Sequence, residues 1–279
     1  MHSLYRRKAL EPNIHEYNEQ GICERLALCS LIGFDLDNTL ACSKKPMTSP
    51  MCKVFGDLIN KMPIALITGG DLRLVKSQVL SVLPASTNLD NFHIMPTNGT
   101  SYYRIVDGSL KCVYSHTISV KDANRIICVV KDCAKKMGLL KSSGDKDLWG
   151  SQIENRGTQI TFSALGQLAP IELKKDWDPS GKLKEQLAEQ ISAYLPDFSV
   201  RAGGETSVDI VCKGNNKAYA LDSLCSICEI SLKSVAFVGD RMYKGGNDYP
   251  TSLTGALAIC VKNPNNTFEL CSKLLESLK

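Results

Sequence analysis

Asp35 and Asp37 stand two residues apart in the run Asp35-Leu36-Asp37-Asn38-Thr39, directly after the apolar stretch LALCSLIGF. In an extended chain that spacing brings both carboxylates out on one side while Leu36 points to the other. One carboxylate of such a pair can attack phosphorus and form an acyl phosphate. Its neighbour, kept partly protonated, can serve the leaving group and then activate the acceptor. Two acids this close repel each other and a phosphate dianion adds to the repulsion, so a bridging Mg2+ is the natural remedy. Taken alone, the pentapeptide reads equally well as a polar turn. A second acidic stretch, Gly239-Asp240 through Gly245-Gly246-Asn247-Asp248, offers hard oxygen ligands in Asp240, Asn247 and Asp248, with glycines that let the backbone fold tightly. Thr68, followed by Gly69 and Gly70, can present its hydroxyl and nearby N–H groups to a phosphate at a helix start. Lys217, opening a helix after Gly214-Asn215-Asn216, is a point charge suited to the phosphoryl oxygens of a transition state. The order acid pair, threonine, lysine, acidic glycine loop carries the inference, because it supplies nucleophile, acid, phosphate anchors and metal ligands in one scheme.

For these groups to meet, they must emerge at one edge of a sheet. Residues 26–34 and PIALIT at 63–68 are apolar and too short for ordinary helices, which predicts strands buried on both faces of a parallel sheet. A helix starting near Ser49-Pro50 joins them, and the helix LRLVKSQVL follows Gly69-Gly70-Asp71. The alternation resumes with the strand SVDIV from Ser207, a helix after Lys217, the strands VAFVG and LAICV, and a closing helix capped near Asn266 or Thr267. Each chemical candidate then follows a strand, at the carboxyl edge where ligands bind in open α/β sheets. Between them lie a hairpin turning at Asp107-Gly108, a helix over Lys121–Lys136, a strand pair in GSQIENR and TQITFSAL, and a helix near Lys182–Leu195. The expected fold is α/β: a Rossmann-like three-layer core with a parallel sheet over residues 29–97 and 207–279. A smaller α/β lid is inserted over 98–206, and residues 1–28 form an N-terminal extension.

The 279-residue chain is 43% apolar and 22% charged, which excludes wholesale disorder and allows a core with a second domain inserted. Its net charge of +4 comes without a basic run interleaved with aromatics, so no nucleic-acid partner is expected, while a small anionic substrate is compatible. Twelve thinly spread cysteines read as reduced thiols, and Cys225-x-x-Cys228 lacks the second pair or nearby histidines of a zinc site. No apolar window reaches a membrane span and the first residues lack a signal-like apolar stretch, so the default is cytoplasmic, with no membrane partner. Monomer and homodimer both stay open.

On these residues the chain resembles the haloacid dehalogenase superfamily, in the branch with an α/β lid inserted after the second core segment. Within it, the chain is similar to eukaryotic phosphomannomutases and to sugar-phosphatase-like hydrolases. The motifs that carry the likeness are DLDNT, Thr68, Lys217 and GDRMYKGGND, and it runs from about Ile32 to Lys279. The resemblance implies Asp35 as nucleophile, Asp37 as general acid and base, and Mg2+ held by Asp35, the Asp37 carbonyl and Asp240. In the lid, IENRGTQITFSALGQ resembles the phosphomannomutase segment, with Arg156 at the place of a substrate arginine but Gln167 where a second arginine would be. Lys174 takes the third place, GGETSVD nominates Ser207 and Asp209, and Lys44 replaces an arginine soon after the first motif. A mutase must hold a second phosphate in its lid, and bidentate arginine does this better than glutamine or lysine. The first expectation is therefore an Mg2+-dependent phosphohydrolase acting on a small phosphate ester, a sugar phosphate. The second is phosphomannomutase-type transfer, and the third a non-catalytic binding protein that keeps the fold as a scaffold.

Overall fold

Apolar runs too short for helices become strands, and the amphipathic runs between them become helices. The computed structural model describes residues 11–213 and 216–278. In chain order it opens with β1 (Ile14–Glu16), α1 (Ile22–Ala27), β2 (Leu31–Phe34), α2 (Ser49–Lys61), β3 (Ile64–Ile67), α3 (Leu72–Val75), β4 (Phe92–Met95) and the hairpin β5 (Ser101–Val106) and β6 (Ser109–Ser115). There follow α4 (Val120–Lys136), β7 (Ile153–Asn155), β8 (Gln159–Ser163), α5 (Ile171–Trp177), α6 (Lys182–Tyr194), β9 (Phe198–Ala202) and β10 (Ser207–Cys212). The chain closes with α7 (Lys217–Ile227), β11 (Val235–Gly239), β12 (Leu257–Cys260) and α8 (Pro264–Ser277). Two compact units result, one ending at Ser115 and resuming at Asn216, the other running from His116 to Asn215.

The first unit is built on a sheet ordered β1-β12-β11-β2-β3-β4-β5-β6, parallel as far as β4 and antiparallel through the hairpin. Side chains alternate between its faces. Ile32, Phe34, Ile64 and Leu66 meet Leu26 of α1, Phe55 and Leu58 of α2, and Leu270 and Leu274 of α8. Leu31, Ala65, Ile67 and Phe237 meet Ala220, Leu221 and Leu224 of α7. Helices on both faces are the reason the strands read as unbroken apolar runs, and each fully buried Leu, Ile or Phe contributes roughly 1.5–3 kcal/mol. The second unit has an antiparallel sheet ordered β7-β8-β10-β9. One face of that sheet, through Ile160, Phe162, Val208 and Ile210, packs on Ile126 and Val130 of α4 and Leu187 and Ile191 of α6.

Several boundaries differ from those read in the sequence. Leu26 and Ala27, expected to begin the first strand, end α1 instead, because Ile22 and Leu26 are spaced to bury one helical stripe. The expected extension over residues 1–28 is part of the core from Ile14 onward: β1 pairs in parallel with β12, Ile14 opposite Ala258. Residues 1–10 of that extension lie outside the described residues. The hairpin, expected in the lid, continues the larger sheet, with His93 opposite Arg104 and Ile94 opposite Tyr103. Conversely SVDIV, expected as a core strand, is β10 at the centre of the smaller sheet, since Val208 and Ile210 complete the apolar layer over α4 and α6. α8 is capped by Asn263, which accepts from the Asn265 and Asn266 N–H groups, and Pro264 occupies its first turn, ahead of the cap expected at Asn266 or Thr267. The twelve cysteines are free thiols, and burial pushes Cys225 up to about 11 and raises Cys228. No helix among the described residues is long and apolar enough to cross a membrane.

Candidate active site

β11, β2 and β3 are neighbours in the parallel sheet, and the residues that follow their ends are Asp240, Asp35 and Thr68. Pairing aligns those ends. Phe34 lies opposite both Val238 and Leu66, the Asp35 N–H donates to the Val238 carbonyl at 2.9 Å, and the Thr68 N–H donates to Met95 O at 3.2 Å. Lys217, the first residue of α7, is fully buried, and its Nζ lies 2.5 Å from Asp35 Oδ1 and 2.5 Å from Asp248 Oδ1. Asn216 caps that helix by accepting from the Tyr219 N–H at 2.9 Å. Gly214 and Asn215, which precede it, lie outside the described residues. One turn further along α7, Ala220 lies so close to Gly99 that a Cβ on the glycine would overlap it, and Gly99 has φ 79°. Both the close approach and the left-handed backbone require glycine there.

Thr97 and Asn98 precede Gly99 with φ 49° and 54°. A β-branched residue in that region is strained by roughly 1–3 kcal/mol. Two hydrogen bonds of 2.8 Å hold it, from the Thr97 N–H to Gly70 O and from the Asn98 N–H to Thr68 O. They also fasten the loop Thr68-Gly69-Gly70, in which the Gly70 N–H donates to Thr68 Oγ1 at 3.1 Å, leaving the hydroxyl hydrogen to donate outward.

Asp37 Oδ1 accepts from the Lys44 backbone N–H at 2.9 Å and from the Gln78 amide at 3.4 Å. The side chain of Lys44, nominated for substrate, is exposed, and it is its backbone N–H that reaches Asp37. Asn38 and Lys44 shape this loop with φ 60° and 59°, conformations asparagine tolerates. Two contributors were not foreseen. Gln78 is buried and ties Asp37 to the Lys45 carbonyl, and Thr39 Oγ1 donates to Asp240 Oδ1 at 3.4 Å. A glutamine inside the apolar stripe of LRLVKSQVL was the available signal for the first. Thr39 gave none, since its partner is 201 residues away.

Carboxylate oxygens of Asp35, Asp240 and Asp248 lie within 4.8 Å of one another, and the buried Asn247 Oδ1 has no hydrogen-bond partner. Burial pushes the Asp35 carboxyl up to about 7 against the pull of Lys217, with Asp248 adding to the rise. Burial and Asp248 raise Asp240 as well. Hard oxygens short of positive charge fit Mg2+. Both Asp248 oxygens already accept, from Lys217 Nζ and from the Arg241 N–H at 2.9 Å, so Asp248 anchors the lysine. A carboxyl raised on folding contributes stability that is fully present below its unfolded pKa and is lost as pH rises through its folded value, here from 3.8 to about 7. In EDTA the thermal midpoint is therefore expected to fall between pH 5 and pH 8. Mg2+ should raise it more at pH 8 than at pH 5, and an equal rise at both, measured by scanning fluorimetry, would remove the cation from this cluster.

In the smaller unit, register sets Glu154, Thr161, Asp209 and Arg201 side by side across β7, β8, β10 and β9, on the face opposite α4 and α6. Gln159 Nε2 donates to Thr161 Oγ1 at 2.9 Å, and Thr161 Oγ1 donates to Asp209 Oδ1 at 2.8 Å. Asp209 leans over Gly203, where a Cβ would lie 2.6 Å from Asp209 Oδ2 and 2.7 Å from Ser207 Oγ. Arg156 Nε lies 2.8 Å from Glu154 Oε2, and its Nη2 donates to Gln167 Oε1 at 3.5 Å. Lys174 is buried, with Nζ donating to the Gln167 carbonyl at 3.0 Å. The predicted residues thus form two groups, Arg156 with Gln167 and Lys174, and Ser207 with Asp209.

A family model described as eukaryotic phosphomannomutase matches residues 51–277. The phosphomannomutase of Encephalitozoon cuniculi (strain GB-M1) is 28% identical over 260 residues, covering 88% of this chain and 93% of that protein. An IMP-bound IMP-nucleotidase of Plasmodium falciparum superposes with a TM-score of 0.68 at 20% identity, covering 92% of this chain and 69% of the other. A haloacid dehalogenase-like hydrolase from Bacteroides thetaiotaomicron gives 0.58 at 15% identity, covering 90% of this chain and all of that one (100%). At these identities the two structures are alike in fold.

Proposed function

Given that this chain belongs to the eukaryotic phosphomannomutase family and is an enzyme of the haloacid dehalogenase superfamily, we propose that it moves a phosphoryl group between two positions of one hexose, converting mannose 6-phosphate to mannose 1-phosphate. The observation that carries this reading is the family match, which spans the lid as well as most of the core. It favours the mutase over the simple phosphohydrolase expected first from the lid substitutions.

On this reading Asp35 attacks phosphorus, the bond from phosphorus to the sugar oxygen breaks, and Asp37 gives that oxygen its proton. The free hydroxyl of a hexose monophosphate, position 1 of mannose 6-phosphate, then attacks the acyl phosphate, loses its proton to Asp37 and releases Asp35; the hexose 1,6-bisphosphate so formed gives its 6-phosphoryl group back to Asp35 and leaves as mannose 1-phosphate. Lys217, held by Asp248, faces the charge that develops on the phosphoryl oxygens, and the Thr68 hydroxyl with the N–H groups of its loop fixes their orientation. Mg2+, held by Asp35, Asp240 and the Asp37 carbonyl with Asn247 beside them, would neutralise phosphoryl charge. In the lid, Arg156, Ser207 and Asp209 are the groups that would recognise the sugar phosphate.

Hydrolysis is the second reading, favoured by Gln167 in place of an arginine and by the pairing of Arg156 with Glu154. It shares the first half-reaction, with water in place of the sugar hydroxyl. The full chain with Mg2+, mannose 6-phosphate and a catalytic amount of hexose 1,6-bisphosphate, followed by 31P NMR, separates them. Mannose 1-phosphate that forms only with the bisphosphate is the expected product, whereas inorganic phosphate alone would establish the hydrolase.

A further inference from the structure

We propose, on the phosphoryl-transfer reading above, that Arg201 is the guanidinium by which the lid holds the non-reacting phosphate of a phosphorylated sugar. Arg201 lies on β9 directly opposite Asp209 of β10, so its side chain shares the polar face with Asp209 and Thr161. It is half-buried, and among the described residues it has no hydrogen bond or ion pair. Burial lowers its pKa with no anion opposing the shift. The two other arginines of the lid and its buried lysine are occupied. Arg156 is paired with Glu154, Lys174 donates to the Gln167 carbonyl, and Arg125 lies 3.2 Å from Asp197.

Cross-strand neighbours of opposite charge ordinarily pair, yet Asp209 turns away: one oxygen accepts from Thr161 and the other lies over Gly203. Gly203 makes this possible, since any side chain there would meet the carboxylate. The result is a half-buried planar fork of N–H donors on the face that carries Asp209 and Thr161, with no carboxylate paired to it among the described residues. A desolvated guanidinium without an anion is unfavourable, and a phosphate monoester matches its geometry with two parallel hydrogen bonds. Arg201 thus supplies the second guanidinium that Gln167 does not.

The test compares the full chain with Arg201→Ala and Arg201→Lys on two phosphoryl donors: glucose 1,6-bisphosphate, which carries a non-reacting phosphate, and acetyl phosphate, which does not. Rapid quench reads the disappearance of donor in the first half-reaction. For Arg201→Ala, kcat/KM with the bisphosphate is expected to fall about tenfold to a hundredfold, chiefly through KM. Arg201→Lys should recover part of the loss, and both variants should match wild type on acetyl phosphate. Equal losses on both donors, no loss on either, or a wild type whose KM for the bisphosphate is no lower than for acetyl phosphate would overturn the proposal. The acceptor that later takes the phosphoryl group does not enter this measurement, so failure of the mutase reaction and failure of the Arg201 assignment are separately visible.

Discussion

Asp35→Asn is expected to lose at least about a thousandfold in initial rate on every phosphate ester, while its thermal midpoint at pH 8 stays level or rises. Asparagine has no anionic oxygen to attack phosphorus, so the acyl phosphate cannot form by the same route. The fold should survive because Lys217 keeps Asp248 as a partner at 2.5 Å. Asp35 is also a carboxyl that burial pushes up to about 7, so at pH 8 the wild type carries it ionised where its surroundings disfavour the charge. The neutral amide relieves that cost. Initial rates on mannose 6-phosphate and acetyl phosphate, with midpoints measured alongside, check both halves. A variant that retains more than a tenth of the wild-type rate would take the nucleophile away from Asp35, and a collapse of the midpoint would make the loss structural.

Lys217→Met is expected to be the most destabilising single change in the site, by about 3–5 kcal/mol at pH 8, because it leaves two buried carboxylates without their shared cation. Lys217 is fully buried between them. Burial alone would lower its pKa, and the charges of Asp248 and Asp35 more than offset this, so the net shift is upward. At the scale of a domain this size the midpoint should drop by about 10 °C. The sign with pH follows from Asp35: at pH 5 its carboxyl, raised by burial to about 7, takes up a proton, so the loss shrinks there and is largest at pH 8. Mg2+ should recover part of it, since a divalent cation supplies some of the missing charge. Midpoints at pH 5 and pH 8, with and without Mg2+, decide the matter. A methionine variant as stable as wild type at pH 8 would mean that the three side chains form no buried cluster in solution.

How much of this was legible in the sequence depends on whether the signal was local. The strands Leu31–Phe34, Ile64–Ile67 and Val235–Gly239 were readable because strands buried on both faces leave unbroken apolar runs, and the loops after them because glycines and acids cluster there. Their shared edge followed from parallel alternation alone. The hairpin of Ser101–Val106 and Ser109–Ser115 was equally readable, with Asp107 and Gly108 at positive φ in its turn, but the sheet it joins was not. Its alternation is satisfied by any open edge.

The sequence by itself determined which side chains could handle a phosphoryl group and that they follow strands, since residue type and short-range pattern are local properties. Tertiary structure alone decided that Asp248 holds Lys217, that the backbone of Lys44 reaches Asp37, that Ile14–Glu16 completes the core sheet, and that Asp209 turns from Arg201. Each of these depends on which strands and loops come to lie side by side, and pairing across tens to hundreds of residues is set by the packing of the whole chain, leaving no trace in the residues on either side.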